Sequence, residues 1–153
     1  MNIALDMMGG DYAPLQAVKG VAEYLATNPT DIHLTLIGNQ PQIEECILSN
    51  PLPTGTFTIV HAQQVIEMNE HPTKALKEKQ QSSIALGFNL LATAKTDAFI
   101  SAGNTGAMMV GALFSIKTIP GVLRPTIGAY MPREDGKLGL LVDVGLNADS
   151  KPE

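Results

Sequence analysis

One cysteine, no tryptophan and only 5% aromatic residues are the first constraints set by this chain of 153 residues. A single thiol, Cys46, cannot close an internal disulfide, and a chain with no such cross-link is expected in a reducing compartment. Lysine and arginine gather nowhere. Ten basic against 15 acidic side chains leave a formal net charge of −5, which argues against a nucleic-acid surface. No apolar run approaches the ~18 residues of a membrane span. The N-terminus enters a strand within two residues, without the basic segment of a signal peptide. Also missing are the dinucleotide fingerprint G-x-G-x-x-G, the P-loop, the G-x-S-x-G elbow and a Ser-His-Asp order. There is no internal repeat and no low-complexity segment. With 44% hydrophobic and 16% charged residues the chain is expected to fold as one soluble, cytosolic α/β domain.

What the chain does have is 14 glycines and ten prolines, and the glycines gather at strand ends. Asn2–Asp6 is an apolar run of strand length. It breaks at Met7-Met-Gly-Gly-Asp11, and Pro14 stands where a helix opens. Apolar residues then recur at Leu15, Val18, Val21, Ala22 and Leu25, a helical spacing stopped by Asn28-Pro29. Ile32–Ile37 and Thr56–Val60 read as strands, with a short helix over Pro41–Ser49 between them. Gln63–Pro72 reads as loop. Thr73–Lys95 is helical in pattern, and Ser82-Ser83 divide it in two. Asp97–Ser101 is a fourth strand. Ala107–Ile116 is small and apolar on nearly every face, so burial on several sides is expected. Thr126–Met131 and Leu138–Val142 flank an Asp-Gly turn, a hairpin signal. The alternation predicts a three-layer α/β/α fold: a mostly parallel sheet with helices on both faces, plus an antiparallel hairpin.

Ligands of such sheets bind at the carboxyl ends of the strands, and three loops there have unusual composition. In Asp6-Met-Met-Gly-Gly-Asp11, Gly9 and Gly10 permit close approach to the backbone, although a plain strand-to-helix turn would use them too. Ser101-Ala-Gly-Asn-Thr-Gly106 opens a helix whose free N–H groups and dipole suit an anion such as phosphate. Asn104 and Thr105 offer further donors there, or serve only as helix caps. Asp143-Val-Gly-Leu-Asn147, running on to Asp149 and Lys151, repeats the logic of the first loop, or is a solvated tail. Lys74, Lys77 and Lys79 read as a solvated helix face, from which Lys74 is the one candidate to turn towards an anion. His33, His61 and His71 match no metal spacing, and Cys46 has no His beside it.

Together these loops, with Ile66-Glu-Met-Asn-Glu-His-Pro-Thr-Lys-Ala75 and Ser82-Ser83, resemble the bacterial phosphate acyltransferases of phospholipid synthesis. The resemblance runs in order from Met1 to Glu153; Met7 and Leu146 stand where many relatives carry smaller residues. It implies the reversible transfer of a fatty acyl group from acyl-acyl carrier protein to inorganic phosphate, on a fold related to phosphotransacetylases and the isocitrate and isopropylmalate dehydrogenases. It implies no cofactor. It also implies a homodimer in the cytoplasm, peripheral to the inner face of the membrane, with a glycerol-3-phosphate acyltransferase as partner there. Family members are roughly twice as long, so the chain is expected to be an N-terminal half.

Carried onto this sequence, the resemblance makes Asn104, Asn147 and Lys151 the expected catalytic residues. Asp6, Gly9, Gly10, Asp11, Lys74 and Ser82 are expected to bind substrate, as are Ser101, Gly103, Thr105, Gly106 and Asp143. Phosphate would rest on backbone N–H groups and on Asn104 and Thr105, with Lys74 or Lys151 offsetting its charge. Asn147 would donate to the developing oxyanion, and Asp6, Asp11 and Asp143 would orient donors. An acidic carrier protein wants a basic patch, for which Arg124, Arg133 and Lys137 beside the hairpin are candidates, although as turn charges they read first as solvated. The alternatives are a non-catalytic phosphate or sugar-phosphate binding module, and an inactive truncated fragment. A dehydrogenase ranks last, for want of the ribose-binding carboxylate.

Overall fold

In a computed structural model, residues 1–27, 32–122 and 125–145 are described. Asn28 and Pro29, Arg124, Leu146, Asn147, Asp149 and Lys151, each given a part above, lie outside these residues. The chain divides into two compact units, Met1–Ile116 and Lys117–Glu153.

The first unit alternates strand and helix: β1 (Asn2–Asp6), α1 (Leu15–Thr27), β2 (His33–Gly38), α2 (Gln40–Ser49), β3 (Phe57–His61), α3 (Pro72–Glu78), α4 (Ser83–Ala92), β4 (Ala98–Ile100) and α5 (Thr105–Ser115). The strands form one parallel sheet in the order β3-β2-β1-β4. Register follows the pleat, with Leu5 opposite Leu36 on one side and Ile100 on the other. Successive side chains of a strand face opposite ways, and the cores divide accordingly. Leu34 and Leu36 pack with Val18 and Val21 of α1 and Ile43 of α2. Met7, 1% exposed, completes this core on the α1 side. On the other face Ala4, Ile37 and Ala62 pack against Leu86 and Leu90 of α4 and Phe99 of β4. The helices thus lie on both faces of the sheet, as the alternation predicts.

Local sequence places the helix starts. Asn39 caps α2, its side chain accepting from the Gln42 N–H at 3.2 Å, and His61 Nδ1 accepts from the Gln40 N–H at 3.1 Å. Proline opens α3, where its missing N–H costs nothing. Ser82 and Asn104 cap α4 and α5.

One expectation fails. In α5, which was expected to be buried on several sides, only Ala107 and Gly111 are buried, and Phe114 is 76% exposed. The reason is that, among the described residues, α5 packs chiefly against α3 and α4. Gly111 receives the Phe88 ring so closely that a Cβ would stand 2.4 Å from it.

In the second unit β5 (Gly128–Pro132) and β6 (Leu138–Val142) pair antiparallel, as the Asp-Gly turn predicts, and form a two-stranded sheet of their own. Gly136 in that turn has φ +75, and Arg133 pairs with Asp135 at 3.2 Å. Among the described residues no helix is long and apolar enough to cross a membrane.

Candidate functional site

The chain runs from β1 outward through β2 to β3, then returns to lay β4 on the other side of β1. Strand order therefore reverses between β1 and β4, and the loops leaving these two strands flank the crevice where such sheets bind ligands. Both are among the loops that composition singled out.

Asp6 holds them together. It ends β1 and is buried, 7% exposed. Its Oδ1 accepts from the Met8 N–H at 2.9 Å, shaping its own loop. Its Oδ2 accepts from the Ser101 hydroxyl at 2.7 Å, and Ser101 Oγ in turn accepts from the Gly103 N–H at 2.9 Å. One carboxylate thus sets the course of two loops 95 residues apart. Gly9 makes this contact sterically possible, because a Cβ there would lie 2.5 Å from Gly103 N. Gly10 has φ +94, a conformation that L side chains rarely adopt.

Asn104 organises the next layer. Its Oδ1 accepts from the Ala107 N–H at 2.9 Å and caps α5. Its Nδ2 reaches the carbonyl oxygens of Glu67, Met68 and Glu70 at 3.0, 3.3 and 3.2 Å. Both ends of the amide are thus committed within the protein. The donors left at the start of α5 are the N–H groups of Thr105 and Gly106, which the first helical turn always leaves free, and the Thr105 hydroxyl. Pro72, the first residue of α3, sits so close to Gly106 that a Cβ would meet it at 2.4 Å.

The remaining candidates are placed as follows. Asp11 is exposed on the loop after β1. Lys74 is exposed on α3, two residues after Pro72. Ser82 is 0% exposed, its Oγ accepting from the Ala85 N–H at 3.3 Å, so it caps α4 from inside the fold and faces no crevice. Asp143 directly follows β6 in the second unit, with φ 61.

Sequence reading missed a brace in the loop before α3. Lys79, expected on a solvated face with Lys74 and Lys77, instead donates to the Val65 carbonyl at 2.7 Å and to Glu70 Oε2 at 2.6 Å. The same carboxylate accepts from the Glu67 N–H at 2.7 Å. The Lys79 ammonium, and next the Glu67 N–H, hold the Glu70 carboxyl below its ordinary value. No spacing rule pairs these two residues: Glu70 lies on the loop, nine residues before Lys79, so no shared helix face joins them.

With this geometry in hand, likeness to known proteins can be read against it. The family model described as "Fatty acid synthesis protein" matches residues 1–153. The phosphate acyltransferase of Dictyoglomus turgidum is 42% identical over 153 residues, covering 100% of this chain and 45% of the relative. That of Bacillus cereus is 40% identical over 156 residues, covering 99% and 44%. The chain therefore spans about 45% of the length of the curated relatives it matches. Among solved structures, a phosphotransacetylase from Streptococcus pyogenes superposes with a TM-score of 0.68 at 20% identity, over 97% of this chain and 48% of the other. The EutD phosphotransacetylase of Staphylococcus aureus gives 0.64 at 18%, over 97% and 47%. The fold is thus of the phosphotransacetylase kind, one of the two expected.

Proposed function

Since this chain belongs to the fatty acid synthesis protein family, we propose that the whole protein transfers a fatty acyl group from acyl-acyl carrier protein to inorganic phosphate, releasing acyl phosphate for phospholipid synthesis. The observation that carries this reading is the Asp6–Ser101–Gly103 network, which draws two glycine loops together at the strand-order reversal beside the start of α5. A phosphate held there has the Thr105 and Gly106 N–H groups and the Thr105 hydroxyl as donors, with the helix dipole favouring its charge. Lys74, exposed on α3, supplies a countercharge.

In the step, a phosphate oxygen attacks the thioester carbonyl, the C–O bond forms, the C–S bond breaks, and the carrier leaves as its thiol after taking a proton. Holding both reactants in place removes much of the entropic barrier, which orientation can lower by several kcal/mol. Asp6 and Asn104 act by positioning: one sets the loops, the other ties α5 to the 67–70 loop. Gly9 lets backbone approach backbone, Gly10 supplies the positive φ of its loop, Gly103 leaves room for the Asp6 and Ser101 side chains, and Ser101 relays the Asp6 contact. Asp11 lines the crevice. Asn147 as oxyanion donor, Lys151 as a second countercharge and Asp143 as an orienting carboxylate are part of the proposal through the family resemblance. So are a homodimer and a place at the inner membrane face beside a glycerol-3-phosphate acyltransferase.

The test is phosphate-dependent thiol release from hexadecanoyl-acyl carrier protein by the full-length protein. Release that saturates with phosphate and yields acyl phosphate one for one is expected. A folded protein that releases no thiol at any phosphate concentration would overturn the reading.

A further inference from the structure

Beside the glycine loops lies a cavity of about 610 Å³, within the span common for small-molecule sites. Its long wall is apolar, built from Ile3 and Leu5 of β1, Ile100 of β4, and Ala17 and Val21 of α1. Its two charged residues, Asp6 and Asp11, stand at the end formed by the loop after β1, with Gly9, Gly10 and Ser101. The cavity is thus polar where the reaction is proposed and apolar beyond it. Gly20, in the interior of α1, also lines it, and a Cβ there would meet nothing within 4 Å. Glycine inside a helix is destabilising relative to alanine. No positive φ and no close neighbour calls for it here, so its effect is to keep this wall of the cavity low.

We infer that this cavity receives the acyl chain of the substrate, its carbonyl end at the glycine loops and its hydrocarbon along α1 and β4. The inference rests on the acyl-transfer reading above. Gln16 and Tyr24 of α1 also line the cavity and carry hydrogen-bonding groups, but the rest of the wall is apolar and suits a hydrocarbon, which needs no such partner. Each methylene buried there strengthens binding about four-fold, which favours long chains. Ile100, 54% exposed on a strand, is the kind of surface such a chain covers.

The experiment uses the full-length protein in two assays: binding of cis-parinaric acid followed by fluorescence, and phosphate-dependent thiol release from hexadecanoyl- and octanoyl-acyl carrier protein. Gly20→Phe puts a ring into the cavity, and Ile100→Asp puts a charge on its wall; circular dichroism and Tm show that each is folded. The expected result is parinarate binding weakened at least ten-fold in both variants, with the hexadecanoyl-to-octanoyl ratio of kcat/KM falling by a similar factor. Parinarate binding that persists in folded Gly20→Phe and Ile100→Asp overturns the inference, and so does a wild-type protein that binds no parinarate. A Gly20→Phe protein that loses Tm while keeping its binding shows that polypeptide fills the cavity, which also overturns it. If the variants lose parinarate but the wild type transfers no acyl group, the cavity assignment stands and the acyl-transfer reading falls.

Discussion

The side chain of Asn104 answers two demands at once. Its oxygen caps α5 and its NH2 group holds three carbonyls of the 67–70 loop. Losing a cap costs about 1 kcal/mol, and losing the part-buried hydrogen bonds to the loop costs about 0.5–1.5 kcal/mol more. Asn104→Ala is therefore expected to lower stability by about 1.5–2.5 kcal/mol in urea unfolding. Asn104→Asp separates the two roles, because aspartate is an equally good cap yet sets a carboxylate against carbonyl oxygens. Full recovery of stability by Asn104→Asp would show that the cap is all that matters. At the same scale Asp6 and Gly9 are complementary: the carboxylate draws the loops together, and the absent Cβ leaves room for them to meet.

At the scale of elements, the loop into α3 depends on a charge. The Lys79 ammonium and the Glu67 N–H hold Glu70 below its ordinary value of 4.5, so the native state favours the ionised form. The bonds of Glu70 are thus fully present above that value and are lost as the pH falls through the lowered one. Amide exchange of residues 64–71, corrected for its intrinsic pH dependence, is expected to lose protection on the acid side of pH 4.5. Lys79→Met should exchange faster at neutral pH and show a weaker acid dependence. An unchanged acid limb in Lys79→Met would remove the brace as its cause. The elements themselves were legible beforehand: α1 from its apolar spacing, α3 and α4 from the break at Ser82-Ser83, the hairpin from Asp-Gly. The limited burial of α5 was not legible, since small apolar residues suit a helix covered on several sides and one covered on few alike.

At the scale of the molecule, Met1–Ile116 and Lys117–Glu153 are separate compact units. Residues 117–122 are exposed and carry neither helix nor strand. Limited trypsin digestion is expected to cut first after Lys117 and leave a resistant fragment of residues 1–117, identified by mass. Initial cutting at Lys19 or Lys95, inside the first unit, would contradict that division.

What the sequence determined by itself was local. Periodicity of 3.6 or 2 states which face of an element is buried, a Ser or Asn before an apolar run states where a helix begins, and a pair of glycines states where the backbone must bend or be approached. The strands, the helices and the two glycine loops of the site follow from these rules. So, on its quoted motifs, did the family resemblance. Tertiary structure alone decided what each buried face meets. The order β3-β2-β1-β4 puts Asp6 against Ser101, 95 residues away, and brings Asn104 under carbonyls 34 to 37 residues earlier. Periodicity carries no label for the partner, and a carboxylate or an amide offers the same hydrogen bonds to a ligand as to a neighbouring loop. Asn104 therefore reads in the sequence as either a phosphate donor or a helix cap, while in the fold its side chain caps α5 and ties it to the 67–70 loop.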